Sequence, residues 1–339
     1  MEISDMILGM DIKNDLKGAI KKLKHLTFTS KSEVSNFRKK MDDEFSSFFL
    51  PNGVECSSRK YADINCDILA PEIYASNRIM IYIHGGSFVG GSRVAYRTFC
   101  SSIAAKCFCR VVVPEYRLAP ENLYPAPIED IQEVFRAVFT EEQVACSLNG
   151  ENSIPEIIIA ADGSAASIAC AFIFNLRERF RKCIKQIILF SPWLDVSQDS
   201  KLLTTRKMSD DVMSGDVLRK SSCVYAGETN TNSPFISPLL ADDEQLKDFP
   251  PVFIQMGEKE ILLDDAKKFT VRMNELGNKC TLDVWEKMIY MFQMADEFIH
   301  ESHLALDKIG WVVTTNQNEH KKMEFQNKPK LEHSLNSEA

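Results

Sequence analysis

Arg78-Ile79-Met80-Ile81-Tyr82-Ile83 followed by His84-Gly85-Gly86-Ser87-Phe88-Val89-Gly90-Gly91 decides how this chain is read. The first six residues form a short apolar run of the kind that becomes a strand buried on both faces. The run stops at paired glycines, where the backbone can turn sharply and lie close to another group. Working outward, Cys109-Arg-Val-Val-Val113, Ile157-Ile-Ile-Ala160, Ile184 to Phe190, Val252 to Met256 and Thr281 to Trp285 read as further strands. Helical stretches separate them at Thr98 to Lys106, Ile128 to Phe139 and Ser164 to Phe180. Val/Ile-rich strands alternating with helices predict an α/β fold with a mostly parallel central sheet covered by helices.

The β pattern begins near residue 58, and residues 1–50 read as amphipathic helices forming an N-terminal cap. Lys201 to Pro250 is polar and reads as an inserted second cap, about 200–250, within a main domain of residues 51–315. Residues 316–339 are charged and read as a disordered tail. At 339 residues the chain can bury a large core. Its net charge of -8 argues against nucleic acid as a partner. Ten scattered cysteines form no Cys-x-x-Cys pair and no zinc spacing, so they read as buried small hydrophobes. Cys107-Phe108-Cys109 alternates like a strand, which would put both thiols on one face. Free thiols without a secretory leader point to the cytoplasm. No apolar run reaches the roughly 18 residues of a transmembrane span. No metal or organic cofactor is implied.

Seven stretches occur in an order that resembles the hormone-sensitive-lipase-like esterases of the α/β-hydrolase fold. They are His84-Gly85-Gly86, Pro114-Glu115-Tyr116-Arg117-Leu118-Ala119-Pro120-Glu121, Pro125-Ala-Pro-Ile-Glu129-Asp130, Ser191-Pro192-Trp193-Leu194-Asp195, Ser237-Pro238-Leu239, Gly257-Glu258-Lys259-Glu260 and Val284-Trp285-Glu286-Lys287-Met288-Ile289-Tyr290. The resemblance covers about residues 58–315. It implies a serine on a strand-to-helix turn, a histidine base, a carboxylate behind it, and amides of the glycine loop as oxyanion donors.

Against that pattern the acid position holds Glu260, the base position Tyr290 and the nucleophile position Gly163, within Ala161-Asp162-Gly163-Ser164-Ala165-Ala166. Tyrosine, with an ordinary pKa near 10, is a poor base at neutral pH but could hydrogen-bond Glu260. Gly163 has no side chain, although it offers a positive φ at no cost, so the turn itself can survive. The resemblance assigns oxyanion or ligand contacts to His84, Gly85, Gly86 and Ser164. A triad lacking nucleophile and base predicts an inactive or very weakly active protein, retained as a binder of a small acyl or carboxylate ligand or as an interaction protein. The alternative is an active carboxylic ester hydrolase that uses Ser164 as a displaced nucleophile.

Residues 11–40 carry nine Lys/Arg against Asp11, Asp15 and Glu33. Such a basic segment in an acidic chain reads either as the solvated face of cap helices or as contact with an anionic surface or a protein partner.

Overall fold

The computed structural model describes residues 16–46, 50, 53–75, 78–148, 155–203, 210–227 and 229–315. The apolar runs do become strands: β1 Val54–Tyr61, β2 Ile64–Pro71, β3 Arg78–Ile83, β4 Arg110–Pro114, β5 Glu156–Asp162, β6 Ile184–Phe190, β7 Val252–Gly257 and β8 Cys280–Trp285. They form one eight-stranded sheet in the order β1-β2-β4-β3-β5-β6-β7-β8. From β4 to β8 all neighbours are parallel, whereas β1, β2 and β4 pair antiparallel.

Burial explains which strands were easy to read. Every residue of β3 after Arg78 is buried, as are all of β7, which is what a doubly covered strand requires. β1 is mostly exposed, and its polar Ser57, Ser58, Arg59 and Lys60 carry no apolar run. The β1–β2 hairpin therefore lacks the apolar run that marks the buried strands, although residue 58, where the β pattern begins, lies inside β1. Cys107-Phe108-Cys109 is not a strand. Cys107 ends the helix Arg93–Cys107, and Phe108 caps it in the left-handed region at φ 48°. Both thiols are buried all the same, and of ten free cysteines only Cys223 is exposed.

Helices flank the sheet in packed pairs. Arg93–Cys107 lies against His300–Thr314, and Ala126–Leu148 against Ala165–Asn175. At the N-terminus a helix over 16–23 leads through the short turn Lys24–Leu26 to the helix Val34–Phe45, which packs on Arg93–Cys107. The expected cap insertion is more regular than its polarity suggested. It contains the helix Gly215–Ala226, N-capped by the Ser214 hydroxyl accepting from Val217 N–H. The proposed tail, and residues 1–15 of the cap, lie outside the described residues. Among the described residues no helix is long and apolar enough to cross a membrane.

Parallel strands all end on one edge, so the loops after β3, β5, β7 and β8 meet there. Those loops carry His84-Gly85-Gly86, Gly163-Ser164, Glu260 and Tyr290. The carboxyl edge of an α/β sheet is where such folds place ligands.

Candidate active site

The glycine loop is held by a buried carboxylate. Asp162, the last residue of β5, accepts from the Gly85 amide at 2.8 Å, the Tyr82 hydroxyl at 2.9 Å and the Tyr96 hydroxyl at 2.8 Å. A Cβ on Gly85 would stand 2.2 Å from Asp162 Oδ2, so only glycine permits this approach. Burial pushes the Asp162 carboxyl up to about 6, against the pull of its hydrogen bonds from Tyr96, Gly85 and Tyr82. Ser87 and Phe88, at φ 58° and 63°, both sit in the left-handed region that non-glycine residues avoid. Strain of this kind persists where surrounding contacts over-determine it, and it clusters at functional sites.

His84 props the same loop from behind. It is fully buried between Tyr96 and Tyr116, with ring centroids 5.3 and 4.4 Å away. Its Nδ1 lies 3.0 Å from Gly85 O, and its Nε2 has no partner. Burial lowers its pKa to about 4, so the ring is neutral, and the bond to Gly85 O assigns the proton to Nδ1. Tyr116, from the Tyr-Arg-Leu-Ala-Pro stretch, donates to His84 O at 2.5 Å, and Arg117 pairs with Asp130 at 2.8 Å.

The turn after β5 keeps the shape expected of a nucleophile elbow. Gly163 has φ +50°, and the flanking Ala161 and Ala165 are fully buried without displacing it. A Cβ at 163 would lie 2.2 Å from the Tyr290 hydroxyl oxygen. Tyr290 thus fills the space a serine side chain would need, and the two substitutions share one volume. Tyr290 does not make the hydrogen bond to Glu260 that its position would allow. Glu260 Oε1 accepts instead from the Ser191 hydroxyl at 2.9 Å and from the Gly257 amide. Its Oε2 is buried without a partner. Burial holds the Glu260 carboxyl well above the usual carboxylate range, toward its neutral form. Burial likewise drives the Tyr290 phenol well above its ordinary value.

Ser164 is the hydroxyl left at the elbow. It is 3% exposed, and its Oγ accepts from the Phe88 amide at 3.0 Å instead of capping its own helix. The Phe88 ring stacks on Tyr225 of the inserted helix at 4.0 Å and packs against Trp193 at 5.5 Å. The structure therefore brings His84, Gly85, Gly86, Gly163, Ser164 and Tyr290 together, with Glu260 one layer behind. His300 and His303 lie on the C-terminal helix and His25 on the N-terminal cap. No histidine among the described residues bonds to Ser164.

Sequence reasoning missed the Asp162 cage, although Asp162 directly precedes the elbow. It also missed Arg38, whose guanidinium donates to Val89 O at 2.7 Å and Ala119 O at 3.0 Å and pairs with Glu121. Arg38 so ties the N-terminal cap to the glycine loop. Among the described residues, no group of three or more His, Cys, Asp or Glu could hold a metal ion.

Comparison with known proteins places this geometry. A family model described as alpha/beta hydrolase fold matches residues 80–294. An esterase of Acinetobacter venetianus is 29% identical over 71% of this chain and 76% of its own length. An acetyl-hydrolase of Streptomyces hygroscopicus is 27% identical over 70% of this chain and 76% of its own. The crystal structure of an esterase from the bacterial hormone-sensitive lipase family aligns with TM-score 0.77 at 26% identity, covering 88% of this chain and 97% of that one. Relatives named as esterases and acetyl-hydrolases overturn the expectation of an inactive binder, which rested on the triad positions alone. The inference failed because it treated the loss of the usual nucleophile and base as the loss of the reaction, while Ser164 and the glycine loop were still to be placed. By fold, by ordered motifs and by these matches, the chain belongs to the α/β-hydrolase fold family, in its hormone-sensitive-lipase-like branch.

Proposed function

We propose that the chain hydrolyses small carboxylic esters, with Ser164 as the attacking group. The observation that carries this reading is the 3.0 Å hydrogen bond from the Phe88 amide to Ser164 Oγ. It places a buried hydroxyl on the glycine loop and supplies a donor that favours its alkoxide form. Ser164 Oγ would add to the ester carbonyl, the oxyanion would face the Gly86 amide, and collapse would expel the alcohol and leave an acyl-serine for water to cleave. The Gly85 amide is committed to Asp162 and shapes the loop instead of binding the oxyanion. The acetyl-hydrolase name of one relative supports a short acyl group.

With no imidazole on Ser164, proton removal should follow hydroxide. The rate should then climb with pH through 6–9 and lack the plateau an unperturbed histidine, pKa about 6.5, would impose. The test is hydrolysis of p-nitrophenyl acetate by the purified protein and by Ser164→Ala. Loss of turnover in the variant is the expected result. Equal turnover in the variant would remove Ser164 from the mechanism, and no turnover above buffer in either would overturn the proposed activity.

A further inference from the structure

The basic N-terminal segment supplies no reacting group to that chemistry, and some of its cations are paired while others are not. Lys22, Arg38 and Lys39 are neutralised by Glu297, Glu121 and Asp43. Lys24, Lys31 and Lys40 are exposed, and among the described residues no carboxylate forms an ion pair with them. These three lysines, one from the turn Lys24–Leu26, one from the strap and one from the helix Val34–Phe45, line one cavity of about 360 Å³ together with His25 and Asn36. Glu33 is the only acidic side chain in its wall. The His25 ring, which could otherwise pair with an anion, already faces Glu44 at 3.1 Å.

Three ammonium groups around one hollow repel one another, and a cavity wall of low polarisability focuses their field inward. The arrangement gains most from an anion that several lysines share. The first turn of the helix Val34–Phe45 borders the same hollow, and its N-cap residue Glu33 makes no side-chain cap. Its amides and dipole add to the positive field that the lysines create. The hollow is also preformed. The strap between the two N-terminal helices is pinned by Lys220, whose ammonium donates to Thr29 O at 2.9 Å and Ser32 O at 2.8 Å and sits 3.9 Å over the Phe28 ring. The Phe28 amide in turn donates to Ser87 Oγ at 3.2 Å, which joins the strap to the glycine loop.

We propose that this cup binds a phosphate-bearing small anion, either free in solution or as the headgroup of a lipid. Lysines suit phosphate as point charges, and the volume is at the small end of ligand sites, roughly 300–1,000 Å³. The chain's net charge of -8 disfavours a long polyanion laid across the rest of its surface.

Two arms separate the two sources. In the first, inorganic tripolyphosphate is titrated into the full chain by calorimetry. In the second, the chain is sedimented with phosphatidylcholine vesicles with and without a phosphoinositide. Each is repeated with Lys24→Glu/Lys31→Glu/Lys40→Glu and with a control of equal charge change, Lys182→Glu/Lys247→Glu/Lys279→Glu. All six positions are exposed, so both variants should fold, which circular dichroism checks. Removing three phosphate contacts should weaken binding by at least about 10-fold and flatten its salt dependence, while the control binds as the native chain does. Such a loss in the tripolyphosphate arm identifies a free anion, and in the vesicle arm alone a headgroup. No binding in either arm, or equal weakening in the control, overturns the proposal.

Discussion

At the glycine loop, Asp162 accepts three buried hydrogen bonds and organises Tyr82, Tyr96 and Gly85, whereas at the acid corner Glu260 keeps one oxygen with no partner at all. Both carboxyls are fully buried and both are pushed toward the neutral form by burial. The difference lies in what surrounds them. Asp162 has retained every donor that shapes the loop. Glu260 faces the place where a histidine N–H would donate in the family pattern, and Tyr290 has turned away to fill the space beside Gly163. The glycine loop thus holds its hydrogen bonds to Asp162, while the carboxyl behind the usual nucleophile position lacks a donor on one oxygen. A mechanism that needs the loop and a serine, but no imidazole relay, fits this division.

The sharpest way to break the comparison is to remove the loop's anchor. Asp162→Ala leaves two phenols and an amide buried without an acceptor, which should cost about 3–5 kcal/mol. Urea unfolding measures it, and a loss below about 1 kcal/mol would show the cage to be incidental. The pH dependence of the same group follows with its sign. The folded pKa of Asp162, about 6, lies above its ordinary 3.8, so the folded state holds the proton more tightly than the unfolded chain. Its contribution to stability is therefore present below the ordinary value and lost as pH rises through 6. Relative to Asp162→Asn, the native chain should gain up to about 3 kcal/mol between pH 7 and pH 4. A flat difference across that window would mean that Asp162 is not perturbed.

The next test concerns the shared volume. Gly163→Ser alone forces a Cβ against the Tyr290 hydroxyl at a left-handed φ, and should cost about 1–3 kcal/mol without raising turnover. Adding Tyr290→His should recover much of that stability and, by giving Glu260 its missing donor, raise ester turnover by roughly 100-fold or more. Independent effects of the two changes would show that they do not share the space. The smallest effect is expected at Glu260→Gln. Burial pushes Glu260 toward its neutral form, so an amide of the same shape should shift stability by less than about 1 kcal/mol at pH 7. A loss above about 2 kcal/mol would mean the carboxyl is charged.

The contrast also explains what could be read without coordinates. β3 and its glycines announce themselves because a doubly buried strand has to be apolar and a loop against Asp162 has to lack a Cβ. The positions of Glu260, Gly163 and Tyr290 were legible because the ordered motifs resemble a known family. The direction of Tyr290 was not. Whether a phenol reaches a carboxyl or fills a gap depends on how loops from β5 and β8 pack, which neither segment encodes by itself. The Asp162 cage was hidden for a similar reason, since its donors come from β3 and from the helix Arg93–Cys107. Polar β1 lacked the apolar run that marks a buried strand, and Phe108 breaks an apparent alternation by a backbone angle that its residue type rarely adopts.

The most direct measurement is covalent trapping. The chain is incubated with a fluorophosphonate, whose fluoride a serine alkoxide displaces to form a stable phosphonyl-serine, and the modified peptide is located by mass spectrometry. The account predicts a single modification on Ser164, abolished in Ser164→Ala. Labelling of another residue, or no labelling of the native chain under conditions that label a relative with the full triad, would contradict it.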